Sequence, residues 1–200
     1  MKLISDYKNL HIGKKLFILA SGPSLAEQDL SLLKNKMVMG LNRSILTYPS
    51  PYYQCVFDYR LFDLYLEEFK KVRQLFTLED RPLGLPLKLL GGEGFSFDLE
   101  EGIYSGYTIS YFALQVAVYM GFKKIFFLGL DLKHEGPKTH FFGQDSQTLN
   151  HEQTEFPKML KMLNFGAQTL ASSDVEVYNC SPSSTLETFK KINYLDSVAL

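Results

Sequence analysis

The densest group of residues able to transfer protons lies in the stretch LGLDLKHEGPKTHFFG, residues 128–143. Asp131 ends an apolar run, and His134 and His140 follow it, with lysines and a glutamate between them. Histidine exchanges protons near neutral pH, so this group predicts acid–base catalysis by Asp131, His134 and His140. A histidine in a loop is also common on ordinary surfaces. The spacing matches no strong metal-ligand pattern, so no metal site is expected.

A second candidate is ASGPSL, residues 20–25, which directly follows the apolar run LFILA. Its residues Ser21, Gly22, Pro23 and Ser24 are small or turn-forming, and glycine permits another group to approach the backbone closely. The N–H groups at the start of a following helix attract phosphate. The stretch is neither a GxGxxG fingerprint nor a P-loop. A tight strand-to-helix turn capped by serine explains the same residues equally well.

Polar residues also follow the other apolar runs. Asn42 and Arg43 could contact a sugar or base and a phosphate, and Asp58 could accept from a ribose hydroxyl or hold a metal. The hydroxyl and glycine residues of YSGYT, 104–108, begin a helix and suit a phosphate. At every one of these positions a helix cap or turn is the alternative explanation. The remaining candidates are Ser105, Gly106, Asn179, Ser181 and Ser183.

The elements that must position these residues are strands alternating with helices. Apolar runs predict strands at 16–20, 36–41, 54–57, 72–78, 123–132 and 175–179. Apolar residues at helical spacing predict helices at 59–71, 105–122, 151–171 and 183–191. Pro157 lies near the predicted start of the helix at 151–171. Residues 80–102 and 133–150 are predicted to be loops, the former an ordered loop or small lid.

Strands without polar alternation, interleaved with helices, predict a mostly parallel sheet with helices on both faces. The chain of 200 residues fits one α/β domain, with a core of about 14–190. In such sheets ligands bind beyond the carboxyl ends of the strands, where the candidate residues lie.

Composition narrows the classes of function. The net charge is −1, which indicates no overall nucleic-acid footprint. The two cysteines, Cys55 and Cys180, lie in or beside apolar runs and are expected to be buried thiols. The N-terminus has no apolar core of a signal peptide, and no run approaches the roughly 20 apolar residues of a membrane span. A cytoplasmic protein is therefore expected.

Five motifs in order, ILASGPSL, LNRS, SGYTISYFALQVAVYMGFKKIFFLGLDL, HFFG and VYNCSPSS, resemble the MptE-like superfamily. That superfamily includes flagellin glycosylation proteins and 6-hydroxymethylpterin diphosphokinases. The order also resembles the Cst-type CMP-sialic-acid sialyltransferases. The likeness covers roughly residues 14–190 and implies a Rossmann-like fold that binds a nucleotide.

The resemblance implies roles for individual residues. Ser21, Gly22, Pro23 and Ser24 would approach the nucleotide phosphates, Asn42 would contact the nucleotide sugar, and Ser105 and Gly106 would bind the nucleotide. Asp131 matches the aspartate that ends the buried strand of the sialyltransferases. The positions that match part of their C-terminal turn are Asn179, Pro182 and Ser183.

Two departures from the sialyltransferase pattern bear on mechanism. Gln144 occupies the position where those enzymes carry their catalytic histidine, and glutamine cannot accept the proton. His140 or His134 would then be the base, or the transferred group is not sialic acid. Asp58 replaces an asparagine, which is compatible with a metal-bound diphosphate and favours the wider superfamily.

The sequence hypothesis is a glycosyltransferase using a CMP-type sugar in surface-glycan or lipopolysaccharide synthesis. His140 would activate the acceptor hydroxyl, and Tyr104 or Tyr107 would donate to the leaving phosphate. No cofactor is required. The alternatives are a diphosphokinase with Mg²⁺ on Asp58 and Asp131, acting on a pterin-like alcohol, and a non-catalytic nucleotide-sugar-binding protein. Expected partners are a nucleotide-sugar donor and a glycan acceptor but no nucleic acid. We also expect peripheral association with the inner face of the membrane and a homo-oligomer.

Overall fold

A parallel sheet forms the centre of the computed structural model, which describes residues 2–133, 139–143 and 149–200 and, for 149–153, the backbone only. Four short 3-10 helices accompany the regular elements of this described part, at Ile4–Tyr7, Pro23–Glu27, Leu30–Leu33 and Asn42–Leu46. The strands and α-helices are β1 (Lys15–Leu19), β2 (Val38–Leu41), β3 (Tyr53–Cys55), α1 (Arg60–Lys71), β4 (Leu75–Leu78), β5 (Leu85–Leu87), β6 (Leu89–Gly91), β7 (Ile103–Tyr104), α2 (Ile109–Tyr119), β8 (Lys124–Leu128), α3 (Leu149–Leu170), β9 (Glu176–Asn179), β10 (Lys190–Lys191) and α4 (Tyr194–Ala199).

The main sheet has eight parallel strands in the order β10-β9-β8-β1-β2-β3-β4-β5. The chain builds outward from β1 in one direction through β5, and then returns to place β8 on the other side of β1. This reversal makes the carboxyl ends of β1 and β8 the topological switch point, where ligands bind in sheets of this kind. Strands β6 and β7 form a separate parallel pair.

The central strands are buried on both faces, which explains their unbroken apolar character. Leu16 and Ile18 of β1 belong to one buried cluster, and Phe17 and Leu19 belong to another on the opposite face. Helix α2 lies in the first cluster, and ten of its eleven residues are buried. The second face is covered largely by the 3-10 helices and by Tyr194 of α4. The predicted α/β fold with a mostly parallel sheet is confirmed.

Several predicted elements need correction. The predicted strand 123–132 ends at Leu128, so Asp131 lies in the segment after β8, and the predicted strand 72–78 begins only at Leu75. Residues 80–102 are not only a loop, because they contain β5 and β6. The region 183–191 is not a helix: it forms turns followed by β10, with α4 beginning three residues later. The predicted helix 105–122 is shorter, since Thr108 caps α2 and the preceding turn is not helical. Pro157 lies inside α3, which already begins at Leu149.

Among the described residues, no helix combines the length and apolarity needed to cross a bilayer. Both cysteines are free and buried, as predicted.

Candidate functional site

A cleft of about 770 Å³ opens at the switch point of the sheet. Its walls come from the residues after β1, β2, β3 and β8, the start of α2, the segment 139–143 and one face of α3. The predicted site residues that line it are Ser21, Gly22, Asn42, Asp58, Asp131 and His140. The carboxyl ends of parallel strands meet at one edge, so these residues come together although they are far apart in sequence.

The Asp131 carboxylate is held by Ser24, whose hydroxyl also contacts Ser181, and we call Ser24, Asp131 and Ser181 the carboxylate clamp. Ser24 donates its N–H to Asp131 Oδ2 at 2.9 Å and its hydroxyl to Oδ1 at 2.6 Å. The hydroxyl oxygens of Ser24 and Ser181 are 3.0 Å apart, and Ser181 accepts from the N–H of Leu130. Asp131 is 3% exposed. The clamp therefore ties together the segments that follow β1, β8 and β9.

Gly22 is required by this clamp rather than by space for a ligand. A Cβ at Gly22 would lie 2.4 Å from Asp131 Oδ2 and 2.5 Å from the carbonyl oxygen of Gly129. The Gly22 N–H also donates to that carbonyl at 2.8 Å, and Ser24 uses its N–H within the clamp. Pro23 has no N–H to offer. The sequence analysis explained these small residues by the close approach of a phosphate. In the structure the space beside Gly22 is filled by Asp131 and the Gly129 carbonyl.

Asn42 begins the 3-10 helix after β2 in a left-handed conformation, with φ of 47°. Its carbonyl oxygen accepts from Gln54 Nε2 at 2.9 Å, which fixes the backbone at this point. The Asn42 side-chain oxygen is buried and has no hydrogen-bond partner among the described residues. A buried amide oxygen without a donor is costly, so Asn42 is suited to accept from a ligand.

Asp58 and Arg60 form a fork-shaped ion pair in the cleft wall. Arg60 donates Nη2 to Asp58 Oδ2 at 2.6 Å and Nε to Oδ1 at 3.1 Å. Asp58 Oδ1 also accepts from the N–H of Arg60, the first residue of α1. Asp58 is not the N-cap of α1, which is Tyr59, but its carboxylate still accepts from the first helical N–H. Arg81 lies nearby in the wall and donates Nε to the Phe57 carbonyl at 2.8 Å.

The start of α2 faces the cleft through residues later than predicted. Thr108 caps the helix by accepting from the N–H of Ser110, and both residues line the cleft. Ser105 and Gly106 do not line it. Gly106 instead has φ of 55°, and a Cβ there would lie 2.2 Å from the Tyr111 ring.

His140 is placed by the short segment 139–143. The Phe141 N–H donates to the Ser21 carbonyl at 3.0 Å, which attaches the segment to the end of β1. The His140 ring stacks on Phe142 with centroids 4.7 Å apart, and its Nδ1 lies 2.9 Å from the Thr139 hydroxyl. The Arg43 guanidinium lies 4.7 Å from the centroid of the same Phe142 ring. His134 and Gln144 lie outside the described residues.

The C-terminal candidates Asn179, Ser181 and Ser183 do not line the cleft. Asn179 is fully buried, donates Nδ2 to the Leu130 carbonyl at 3.1 Å and accepts from the Ser181 N–H. Asn179 thereby fixes the backbone of Ser181, a member of the clamp. Ser183 is exposed and lies away from the cleft lining.

Left-handed backbone conformations concentrate around the cleft. Among the described non-glycine residues with positive φ, the two outside the cleft are asparagines, Asn9 and Asn35. The three that line it are Asn42, Tyr107 and Leu132. Tyrosine and leucine rarely adopt this conformation, and such strain is typical of functional sites.

The charge of the described cleft lining is positive. It contains four cationic side chains, Arg43, Arg60, Arg81 and Lys133, against two carboxylates, Asp58 and Asp131. Arg60 pairs with Asp58, and Arg81 pairs with Asp80, which lies outside the lining. With α2 directing its N-terminus into the same space, the cleft is suited to an anionic ligand. Sequence reasoning missed Arg60 and Arg81. Arg60 adjoins the candidate Asp58, whereas no pattern marks Arg81, which lies in a region predicted to be a loop.

The fold is shared with a structurally known glycosyltransferase. Two structures of the sialyltransferase CstII from Campylobacter jejuni match with TM-scores of 0.50 and 0.53 at 16% sequence identity. The matches cover 90% of this chain and 86% and 85% of theirs. One contains the substrate analogue CMP-3FNeuAc and the other cytidine-5'-monophosphate. No protein-family model matches the sequence, and none of the curated proteins matches it. The domain is therefore Rossmann-like and of the glycosyltransferase type at the level of the fold.

Proposed function

We propose that this protein is a glycosyltransferase that takes a sugar from a nucleotide-activated donor, of the CMP type, for a surface glycan or lipopolysaccharide. The observation that carries the proposal is the cation-rich cleft at the switch point of a fold shared with CstII. Donor sugars of this class leave on a phosphate. A cleft with an excess of guanidinium groups and a helix N-terminus suits that phosphate.

The phosphate is assigned to Arg43 and to the side-chain hydroxyls of Thr108 and Ser110 at the start of α2, whose own N–H groups are already used within the protein. The sequence hypothesis assigned it to the backbone of residues 21–24, but the N–H groups of Gly22 and Ser24 are already used within the protein. Ser21 retains the proposed role at the edge of the cleft. Asn42 offers its buried side-chain oxygen to a hydroxyl or amino group of the nucleotide or sugar.

His140 is proposed as the general base. It takes the proton of the acceptor hydroxyl as the acceptor oxygen bonds to the anomeric carbon and the bond from that carbon to the phosphate oxygen breaks. The nucleotide leaves with the bonding electrons, and Tyr107, which lines the cleft, donates a hydrogen bond to its phosphate. Stacking on Phe142 and the Thr139 hydroxyl orient the His140 ring. Asp131 positions the strand ends through the clamp instead of exchanging protons.

The magnesium-dependent diphosphokinase fits the cleft less well. Asp58 already accepts from Arg60 through both oxygens, and Asp131 accepts from Ser24 through both of its own. Neither carboxylate is presented toward a metal in this arrangement.

Nucleotide binding is tested by thermal shift and calorimetry with CMP, CDP, UDP, GDP, ADP and ATP, each with and without Mg²⁺. We expect CMP to raise the melting temperature without metal. Arg43→Ala should weaken CMP binding about 10- to 100-fold, the range for hydrogen bonds to a charged group. Arg73→Ala is the matched control, because Arg73 packs on Tyr52 outside the cleft lining. Stabilisation by ATP only with Mg²⁺ would contradict the proposal and favour diphosphate transfer.

Catalysis is tested by following release of CMP from CMP-activated sugars in the presence of glycan acceptors. His140→Ala should lower kcat by about 10²- to 10⁴-fold, the usual contribution of a general base, and leave the Kd for CMP nearly unchanged. His134→Ala is the comparison variant. If only the His134 variant loses turnover, the base is misassigned. If CMP binds but the wild type turns over no donor, the non-catalytic alternative is correct.

A further inference from the structure

Acidic residues are absent from long stretches of a chain whose net charge is only −1. Residues 7–26, 30–57 and 69–78 contain no aspartate or glutamate, yet they contain most of the lysines and arginines of the first half. These stretches include β1, β2, β3 and β4 and the segments that lead into them. The charges of the chain are therefore strongly segregated, although the total is nearly balanced.

The parallel sheet gathers these basic residues at one edge. Since neighbouring strands run in the same direction, the residues that precede them all lie at the amino ends. Around the starts of β1, β2 and β4 this edge carries six cationic residues, which we call the basic face: Lys14, Lys15, Lys34, Lys36, Lys71 and Arg73. Three of them, Lys36, Lys71 and Arg73, line one depression of about 330 Å³.

Few carboxylates lie close to the basic face: Glu67, which pairs with Lys70, also interacts electrostatically with Lys71. None of its six residues forms an ion pair within the part of the chain that the structure describes. Further along the same edge, where Lys124 of β8 is the register partner of Lys15, the charges are paired: Lys123 with Asp174 and Lys124 with Glu176. Net positive charge is thus concentrated at the amino ends of β1, β2 and β4, at the opposite end of the sheet from the cleft.

Exposed aliphatic side chains lie beside this charge. Leu10 is 47% exposed and Ile12 is 68% exposed, and they lie within four residues before Lys14 in the chain. Tyr48 and Tyr52 line the same depression as Lys36. Aliphatic anchors, lysines and tyrosines together are typical of protein surfaces that lie at a membrane–water interface.

We propose that the basic face docks the protein on an anionic lipid bilayer surface. The inference does not depend on the proposed function, since it uses none of the cleft residues. Charge complementarity identifies the occupant, and the exposed Leu10 and Ile12 favour lipid over nucleic acid, whose phosphates offer nothing for aliphatic side chains to bury against. Docking leaves the cleft open, because the cleft lies at the carboxyl ends of the strands.

The test is co-sedimentation of the full chain with vesicles of phosphatidylcholine alone or with 30% phosphatidylserine, at low and high salt. We expect binding only to the anionic vesicles, and weaker binding at high salt. Lys14→Glu/Lys34→Glu should weaken binding at least about 25-fold, since each lysine near the surface contributes roughly fivefold. Leu10→Ser/Ile12→Ser should also weaken it.

The matched control is Lys88→Glu/Lys190→Glu, which makes the same change of net charge at exposed positions outside the basic face. It should retain most of the binding. Equal loss in both double variants, equal binding to neutral vesicles, or no vesicle binding at all would overturn the proposal. So would tight binding of a 20-base-pair DNA duplex that competes fully with the vesicles. Melting temperatures of all variants show whether each is folded.

Discussion

Removing one hydroxyl from the carboxylate clamp should destabilise the protein measurably. Ser24→Ala removes the 2.6 Å bond from Ser24 Oγ to Asp131 Oδ1 and keeps the backbone bond to Oδ2. Ser24 is 6% exposed and Asp131 is 3% exposed, so water cannot replace the lost donor. A hydrogen bond to a charged group contributes about 1.5–3 kcal/mol, and we therefore expect a loss of about 2 kcal/mol. For a chain of this size that corresponds to a melting temperature lower by about 4–8 °C.

Ser31→Ala is a closely matched control for this substitution. Ser31 Oγ also donates to an aspartate oxygen, Asp29 Oδ1, at 2.6 Å, but that pair is exposed at the surface. Calorimetric scans of the two variants and the wild type make the comparison. We expect no measurable shift for Ser31→Ala. If both variants melt within 1 °C of the wild type, burial of the clamp does not have the energetic importance that we assign to it.

Three further predictions follow from burial. Gly22→Ala should lower the free energy of unfolding in urea by about 1–3 kcal/mol, because its Cβ would lie 2.4 Å from a carboxylate oxygen of Asp131. An unchanged midpoint would show that the clamp rearranges at no cost in stability. Burial, helped by the nearby Lys14, lowers the pKa of His11 below its usual 6.5, so the unfolded chain gains a proton first and stability should fall as the pH drops through about 6.5. Urea midpoints at pH 7.5 and 5.5 for wild type and His11→Asn test this, and an equally steep loss in the variant would contradict it. Burial raises the pKa of the Cys180 thiol to about 11 and that of Cys55 further, so neither should react with a thiol reagent until urea unfolds the chain. Fast labelling of the native protein would show that the buried thiols open to solvent.

Much of the fold could be predicted because the strands carry a local signal. β1 and β8 are buried on both faces, and such strands are recognisable as short apolar runs between turns. The amphipathic α1 was predicted within one residue at its start. The short strands β5 and β10 were missed because their residues are partly exposed and their pairing depends on neighbours distant in sequence.

Some of the predicted site residues line the cleft and others do not. His140, Asn42 and Asp58 do line the cleft, since each follows directly from a strand end or its loop. Ser105 and Ser183 do not, because the turn before α2 and the turn after β9 direct other residues inward. Arg81 could not be predicted, since its side chain reaches the cleft only by packing against the Phe57 carbonyl.

The amino-acid sequence by itself determined the class of fold and the edge of the sheet at which the candidate polar residues collect, because the apolar periodicity and the polar residues after each strand are local properties. Only the tertiary structure decided which of those polar residues contact one another and which line the cleft. Ser24 and Asp131 are 107 positions apart, and Ser24 and Ser181 are 157 apart. They meet because the chain reverses its direction of sheet building and places β8 beside β1 and β9 beside β8. That reversal depends on long-range packing, and it makes Gly22 and Asp131 partners of each other.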